Sequence, residues 1–196
     1  MWTLAAAVFS VSCSDDSTTP TPPPSGFKEL NKREHVLTNF NLAHNKRDSN
    51  HYDAVLDDNF TFYYTDPNGG APMEVQWERI EDMVITSALF SGVDHLAFDV
   101  DASNVLWTEF PAPSGTEYWY STTLFYHFTI KKGNYTYIPN AGAKMEFTVR
   151  NAGSTTMPKW TLVELRDLGG PTLLNATRSQ ATETTTYGLV KGLFRK

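Results

Sequence analysis

From Tyr118 to Ile130 the chain reads Tyr-Trp-Tyr-Ser-Thr-Thr-Leu-Phe-Tyr-His-Phe-Thr-Ile, with neither glycine nor proline inside. Aromatic and β-branched side chains suit a pleated, half-buried surface, so this run predicts a long central strand. A strand so apolar aggregates unless neighbours cover it, which excludes an edge position. Alternation sends its even-numbered residues inward, among them Tyr118, Tyr120, Leu124, Tyr126, Phe128 and Ile130. Trp119, Ser121, Thr123, Phe125, His127 and Thr129 face outward. The outward phase removes His127 from any interior chemistry and makes Trp119 and Phe125 candidates for a partner surface.

The remaining pattern is read in chain order. Leu30, Val36, Leu37, Phe40, Ala43 and His44 recur at spacings of three and four, which predicts a helix within Phe27 to Asp48. Ser49 or Asn50 caps a short helix with Tyr52, Val55 and Leu56 as its stripe. Asn59 to Thr65 alternates as a strand, and Asp66-Pro67-Asn68-Gly69-Gly70 is a loop. Met73 to Phe90 predicts a second long helix with Trp77, Ile80, Val84 and Ala88 on one stripe, supported by Met83 and Leu89 and stopped by Gly92.

Val93 to Trp107 follows as a strand bending near Asp101 to Asn104, and Phe110 to Thr116 as a hairpin loop. After the central strand, Lys131 to Asn134 turns and Tyr135 to Ile138 extends the pairing. Ala143 to Arg150 alternates, with Ala143, Met145, Phe147 and Val149 inward. Trp160 to Leu168 is the last long strand. Leu173 to Thr186 reads as irregular, and Tyr187 to Phe194 as a short apolar helix docking on the body.

Composition narrows the function. The chain has 196 residues, with 22 acidic against 16 basic side chains and a formal charge of −6. No basic patch offers the counterion release that drives nucleic-acid binding, so no nucleic-acid partner is expected. Cys13 is the one cysteine, which excludes an internal disulfide and a thiolate cluster.

Leu4 to Val11 is an apolar run well short of the roughly 20 residues that span a bilayer, and it fits a signal-peptide core. Ser10-Val11-Ser12-Cys13 resembles a bacterial lipoprotein lipobox, with Ser10 where leucine is usual. Ser14 to Ser25 is a Pro-, Ser- and Thr-rich spacer that extends as polyproline II. The division expected is a signal peptide over 1–12, a tether anchored by lipid on Cys13 over 13–26, and one globular domain over 27–196. Contact with the membrane is expected only through that lipid, on the periplasmic or surface side of a bacterial envelope.

The order of helix, short helix, strand, helix and long antiparallel strands resembles the NTF2-like, cystatin-like cone fold. Leu42-Ala43-His44-Asn45-Lys46-Arg47-Asp48 and Tyr52-Asp53-Ala54-Val55-Leu56-Asp57-Asp58-Asn59-Phe60-Thr61-Phe62 are similar to that family's opening. Trp77-Glu78-Arg79-Ile80-Glu81-Asp82 is similar to the entrance of its second long helix, and Trp160 to Leu168 to its closing strand. The resemblance covers most of Arg33 to Leu168 and is to its SnoaL-like and small exported members. It implies an α+β fold, a curved antiparallel sheet wrapped on two long N-terminal helices and a short helix, with a conical pocket. The family holds isomerases, dehydratases, epoxide hydrolases and cyclases besides binding proteins, so the fold implies a pocket and not an activity.

Candidate chemistry is sparse. There is no His-Glu-x-x-His, phosphate loop or nucleophile elbow, and no metal or cofactor is expected. His35, His51 and His95 read as surface groups. His44 shares the stripe of Leu37 and Phe40, where it is either a packed core histidine or a general base. Glu164 lies in phase with Trp160, Leu162 and Arg166. If that face lines the pocket, Glu164 abstracts protons and Arg166 holds an anionic group; otherwise the two form an exposed ladder. Tyr64, Trp77, Tyr118, Tyr120 and Tyr126 either line the pocket and polarise a carbonyl or pack as core. Asn59, Asn134 and Asn175 begin incidental Asn-x-Thr sequons.

Three functional readings remain. The first is an exported, lipid-anchored domain binding a small apolar or amphipathic molecule or a protein partner. The second is an isomerase, lyase or hydrolase using a carboxylate or histidine base. The third is an assembly subunit that pairs with a second copy through the convex sheet face of Trp119 and Phe125.

Overall fold

The computed structural model describes residues 26–66, 72–115, 117–169 and 182–195. The proposed signal peptide, Cys13 and nearly all of the tether lie outside these residues, as do the Asp66 loop beyond its first residue and most of the Leu173 to Thr186 segment.

Helix α1 spans Arg33–Lys46 and α2 Ser49–Val55. Between them Arg47 takes the left-handed conformation at φ 54°, and its N–H reaches the carbonyls of Ala43 and His44. The cap of α2 is Asp48, one residue before the expected pair, accepting from the N–H groups of Asn50 and His51. His51 is not a free surface group: it stacks on Phe27 at 3.6 Å and bonds Asp48 through Nδ1 at 2.7 Å.

Nine strands follow, interrupted by one long helix. They are β1 (Leu56–Asp66), β2 (Met73–Glu78), then α3 (Arg79–Gly92), β3 (His95–Val100), β4 (Thr108–Pro111), β5 (Tyr118–Lys132), β6 (Tyr135–Pro139), β7 (Lys144–Asn151), β8 (Trp160–Gly169) and β9 (Thr182–Thr185). Helix α4 (Tyr187–Gly192) closes the described chain. The sheet order is β2-β1-β8-β7-β5-β6-β9, with β3 and β4 also paired to β5. All pairings are antiparallel except β1 with β8 and β6 with β9.

The length of β5 has a cause. Trp119 to Phe125 pairs with β7, whereas Tyr126 to Lys131 pairs with β3, so one strand serves two parts of a curved sheet. Its predicted phase holds from Thr122 to Ile130, where every even residue is buried. Tyr118 breaks it, being 60% exposed. It lies beyond the last residue paired to β7, opposite Pro111 of the short strand β4.

Helix α3 corrects two expectations. Met73 to Glu78 is a strand paired to β1, and Trp77 sits opposite Phe62. The helix beyond it turns a different face inward: Asp82, Ile85, Thr86, Leu89 and Phe90 are buried. Ile80 and Val84, assigned to the stripe, are 78% and 65% exposed. Periodicity leaves Asp82 and Thr86 out of the apolar stripe because it cannot see the groups that satisfy them.

Strand β8 contains the answer to its own ambiguous phase. Val149 of β7 pairs Leu162, while its neighbour Thr148 pairs Glu164, so Val163 is an extra residue in a bulge. The bulge shifts the phase by one. Leu162, Leu165 and Asp167 are buried, and Glu164 and Arg166 are turned toward the outer face.

Candidate functional site

The inside of the cone is walled by rings. Phe40 and His44 come from α1, Tyr52 from α2, Phe62 and Tyr64 from β1, Trp77 from β2, Phe98 from β3 and Tyr126 from β5, all buried. Trp77 stacks on Phe62 at 5.2 Å between centroids, and His44 on Phe98 at 4.6 Å.

This interior is occupied by α4. The helix has six residues, two of them glycine, too short and too poor in propensity to persist alone. Tertiary contacts therefore fix it. Thr186 caps it, accepting from the Leu189 N–H at 3.3 Å. Tyr187 and Lys191, four apart and so on one face, both enter the cone with no exposure.

The Lys191 ammonium pairs with the fully buried Asp82 carboxylate. Around Nζ lie the rings of Phe62 at 4.6 Å, Tyr187 at 5.5 Å, Trp77 at 5.6 Å and Tyr52 at 5.7 Å. The second Asp82 oxygen accepts from the Tyr52 hydroxyl at 2.7 Å and from Thr86 at 3.5 Å. Burial pulls the Lys191 pKa down, and Asp82 pulls it back toward the charged form.

Two further contacts hold Tyr187. Its hydroxyl meets His44 Nε2 at 2.5 Å, while His44 Nδ1 donates to the Phe40 carbonyl at 2.8 Å. That pattern makes Nε2 the acceptor and the imidazole neutral. Burial holds the His44 pKa down at about 3, against the raising effect of the Phe40 carbonyl and with Lys191 adding to the lowering. The Tyr187 N–H donates to the Tyr126 hydroxyl at 3.2 Å, which donates to Asp167 at 2.9 Å. Asp167 also accepts from the Gly188 N–H at 2.6 Å and the Gly169 N–H at 3.0 Å. Burial raises its pKa despite these donors.

The predicted residues divide accordingly. His44, Tyr64, Trp77 and Tyr126 are brought together in the cone. Tyr118 lies at the exposed end of β5. Tyr120 is half-buried outside the cone, where its ring meets the Arg33 guanidinium at 4.4 Å and Trp160 at 5.4 Å. Glu164 is not a pocket base: its carboxylate lies 3.6 Å from Arg166 on the outer face, and Arg166 also reaches Glu74 at 3.0 Å and covers Tyr63. His127 and Phe125 point outward as expected, and Phe125 carries Lys144 over its ring at 4.8 Å. Trp119 is half-buried against Phe110 and bonded to Glu117.

Sequence reasoning missed Asp82, Lys191, Tyr52, Tyr187 and Asp167. A signal existed for two of them. Lys191 stands alone in an apolar stretch on the face of Tyr187, and Asp82, Ile85, Thr86 and Leu89 share helical spacing. An open groove of about 270 Å³ lies outside the cone between Asp58, Asn59, Thr61, Glu78 and Arg79, and none of the predicted residues lines it.

Gly188 tests the docking of α4. A Cβ there would lie 2.5 Å from Tyr64 Cγ, inside any tolerable contact. Gly188→Ala is expected to destabilise the protein by about 1–3 kcal/mol, the range for overpacking, or to expel α4. Amide exchange over 187–192 then accelerates relative to the sheet; unchanged protection would mean that α4 is not seated on Tyr64.

Similar folds are found among solved structures. An NTF2-like superfamily protein from Salmonella enterica serovar Typhimurium is 10% identical, over 72% of this chain and 92% of that one, at a TM-score of 0.50. A cystatin-like-fold protein from Nostoc punctiforme is 12% identical over 72% and 90%, at 0.43. No family model matches the chain, and no curated protein does. The chain has the NTF2-like, cystatin-like cone fold.

Proposed function

We propose that the chain is an exported, lipid-anchored NTF2-like domain whose cone binds a small amphipathic molecule in exchange for α4. One observation carries this reading: the cone's buried walls are rings, with the Asp82 carboxylate among them, and what fills the space is a short helix of the chain, Tyr187 and Lys191 having no exposure. The plugged cone counts against any pocket unless α4 withdraws, so binding needs that exchange. A space that seats a phenol, an alkyl stem and an ammonium together is matched to an amphipathic guest, apolar on its walls with a few placed polar groups.

The second reading, an isomerase or lyase, has its own support. Asp82 meets two hydroxyls, those of Tyr52 and Thr86, as a general base with polarising partners would. Export and anchoring rest on the Leu4 to Val11 run, Cys13 and the spacer behind it. A protein partner is a second copy seated on the outer sheet face, where Phe125 stays 48% exposed.

Purification from the host, as the wild type and as Cys13→Ser, tests the reading. The wild type is expected in the envelope fraction with a lipid mass on Cys13, and the variant in the soluble fraction. Native mass spectrometry of the released variant is expected to show a retained small molecule. An unmodified Cys13 would remove the anchor from the reading. A bare monomer would remove the ligand, and an empty dimer would replace it with self-association.

A further inference from the structure

The depth of the cone holds a charge arrangement that hydrophobic packing does not explain. Asp82 is a carboxylate with no exposure, on a helix face otherwise made of Ile85, Thr86, Leu89 and Phe90. A buried carboxylate is costly unless a cation and hydrogen bonds compensate it. Here the cation comes from α4, 109 residues along the chain, and not from the cone's own walls. The walls supply the rest: Tyr52 and Thr86 fix one carboxylate oxygen, and Phe62, Trp77 and Tyr52 present rings to the ammonium. A carboxylate inside a box of aromatic faces is the chemistry that recognises an organic cation.

We infer that the inner end of the cone is a recognition site for an alkylammonium ligand, with Lys191 as its resident occupant. The inference rests on the cone-binding reading above and specifies its ligand class. Asp82 is the counter-ion, Phe62, Trp77 and Tyr52 are the walls, and the ligand's alkyl chain takes the path of the lysine stem. Exchange needs only the withdrawal of α4, a short helix with two glycines whose attachment is tertiary and not intrinsic.

Chemical rescue in the full chain tests this. Lys191→Ala removes the resident ammonium and leaves Asp82 in place. n-Butylammonium is expected to raise the Tm of Lys191→Ala with saturating dose dependence, and that of the wild type at higher concentration, where it must displace α4. A wild type that never responds would make the pair a purely structural ion pair and overturn the site. Neutral n-butanol is expected to bind at least about tenfold more weakly, the ratio that a 1.4 kcal/mol charge preference gives. Asp82→Asn in the Lys191→Ala background is expected to abolish the amine effect.

If Lys191→Ala is recovered unfolded, refolding with and without the amine reads the same comparison through the folded fraction. Equal rescue by butanol would overturn the ammonium assignment and leave the cone-binding reading intact. No response to either compound would overturn the site. If the host-purified protein is also bare, the cone-binding reading falls with it.

Discussion

Replacing Lys191 by methionine is expected to cost about 3–5 kcal/mol, the range for breaking a buried ion pair from one side. Methionine keeps the length of the stem and removes the ammonium. What remains is the Asp82 carboxylate, fully buried, with only the Tyr52 and Thr86 hydroxyls to hold it. For a chain of this size the loss corresponds to a fall in Tm of roughly 6–20 °C. Asp82→Asn strands the ammonium instead and is expected to cost a similar amount.

The pair replaced together is the informative variant. Asp82→Asn with Lys191→Met removes both charges, and buried pairs exchanged for neutral groups are often no less stable than the original. Its destabilisation is expected to be well below the sum of the two singles, measured by urea unfolding. Additive losses would mean that the two charges do not meet in solution. A Lys191→Met variant within about 1 kcal/mol of wild type would place the lysine in water, and α4 outside the cone.

The second large effect is a loss of stability on acidification that originates at His44. In the folded chain burial holds its pKa at about 3, with Lys191 adding to the lowering; in the unfolded chain it takes the ordinary 6.5. As pH falls, the unfolded chain therefore binds the proton first. His44's contribution is fully present above about 6.5 and declines toward pH 3, by at most about 1.4 kcal/mol per pH unit and roughly 4–5 kcal/mol in all.

Asp167 works in the opposite sense. Burial raises its folded pKa, so it withdraws stability as pH rises above 3.8. Asp57 is also pushed up by burial, but its bonds from Arg150, the Asn59 N–H and Thr161 outweigh that, and its net lowering acts at the acid end. A difference measurement isolates the histidine. His44→Gln keeps a polar end for Tyr187 and cannot titrate in this range. Urea unfolding of both proteins between pH 7 and pH 4 is expected to converge toward the acid end. Parallel curves would show that His44 is solvated or charged in the fold.

Together the two effects locate where the fold is vulnerable. Asp82, Lys191, His44 and Tyr187 all bear on α4, the one helix of the described residues that fills the cone. Acid and charge removal are therefore expected to release that helix before they unfold the sheet.

Much of this architecture was legible in the residues. Alternation along Ala143 to Arg150 and through Leu96, Phe98 and Val100 placed their inward side chains correctly, because a strand's period of two is local; Thr148, read as outward, is buried as well. The inward face of α1 was legible for the same reason, with Val36, Leu37, Phe40, Ala43 and His44 all buried. Tyr187 to Phe194 was recognisable as a docking helix from its apolar content, but the site it completes was not. Pattern reading builds a stripe from apolar residues, so α3 was turned to the face of Ile80 and Val84 and Asp82 was left out of it. Lys191 was passed over for the same reason.

The phase of β8 shows the other limit. Trp160 to Leu168 is apolar on both faces, and the bulge at Val163 that turns Glu164 outward is set by pairing with β7. The sequence alone thus determined β1, β3, β5, β6, β7, β8 and the first helix, because each depends on side chains within a few positions of one another; β2 reads as helix and β9 as irregular. Only the tertiary structure decided that the cone is filled, that Glu164 lies outside it, and that an acid and a lysine from distant parts of the chain meet at its centre. A buried charge is tolerable only beside its partner, and no local pattern records where that partner will be.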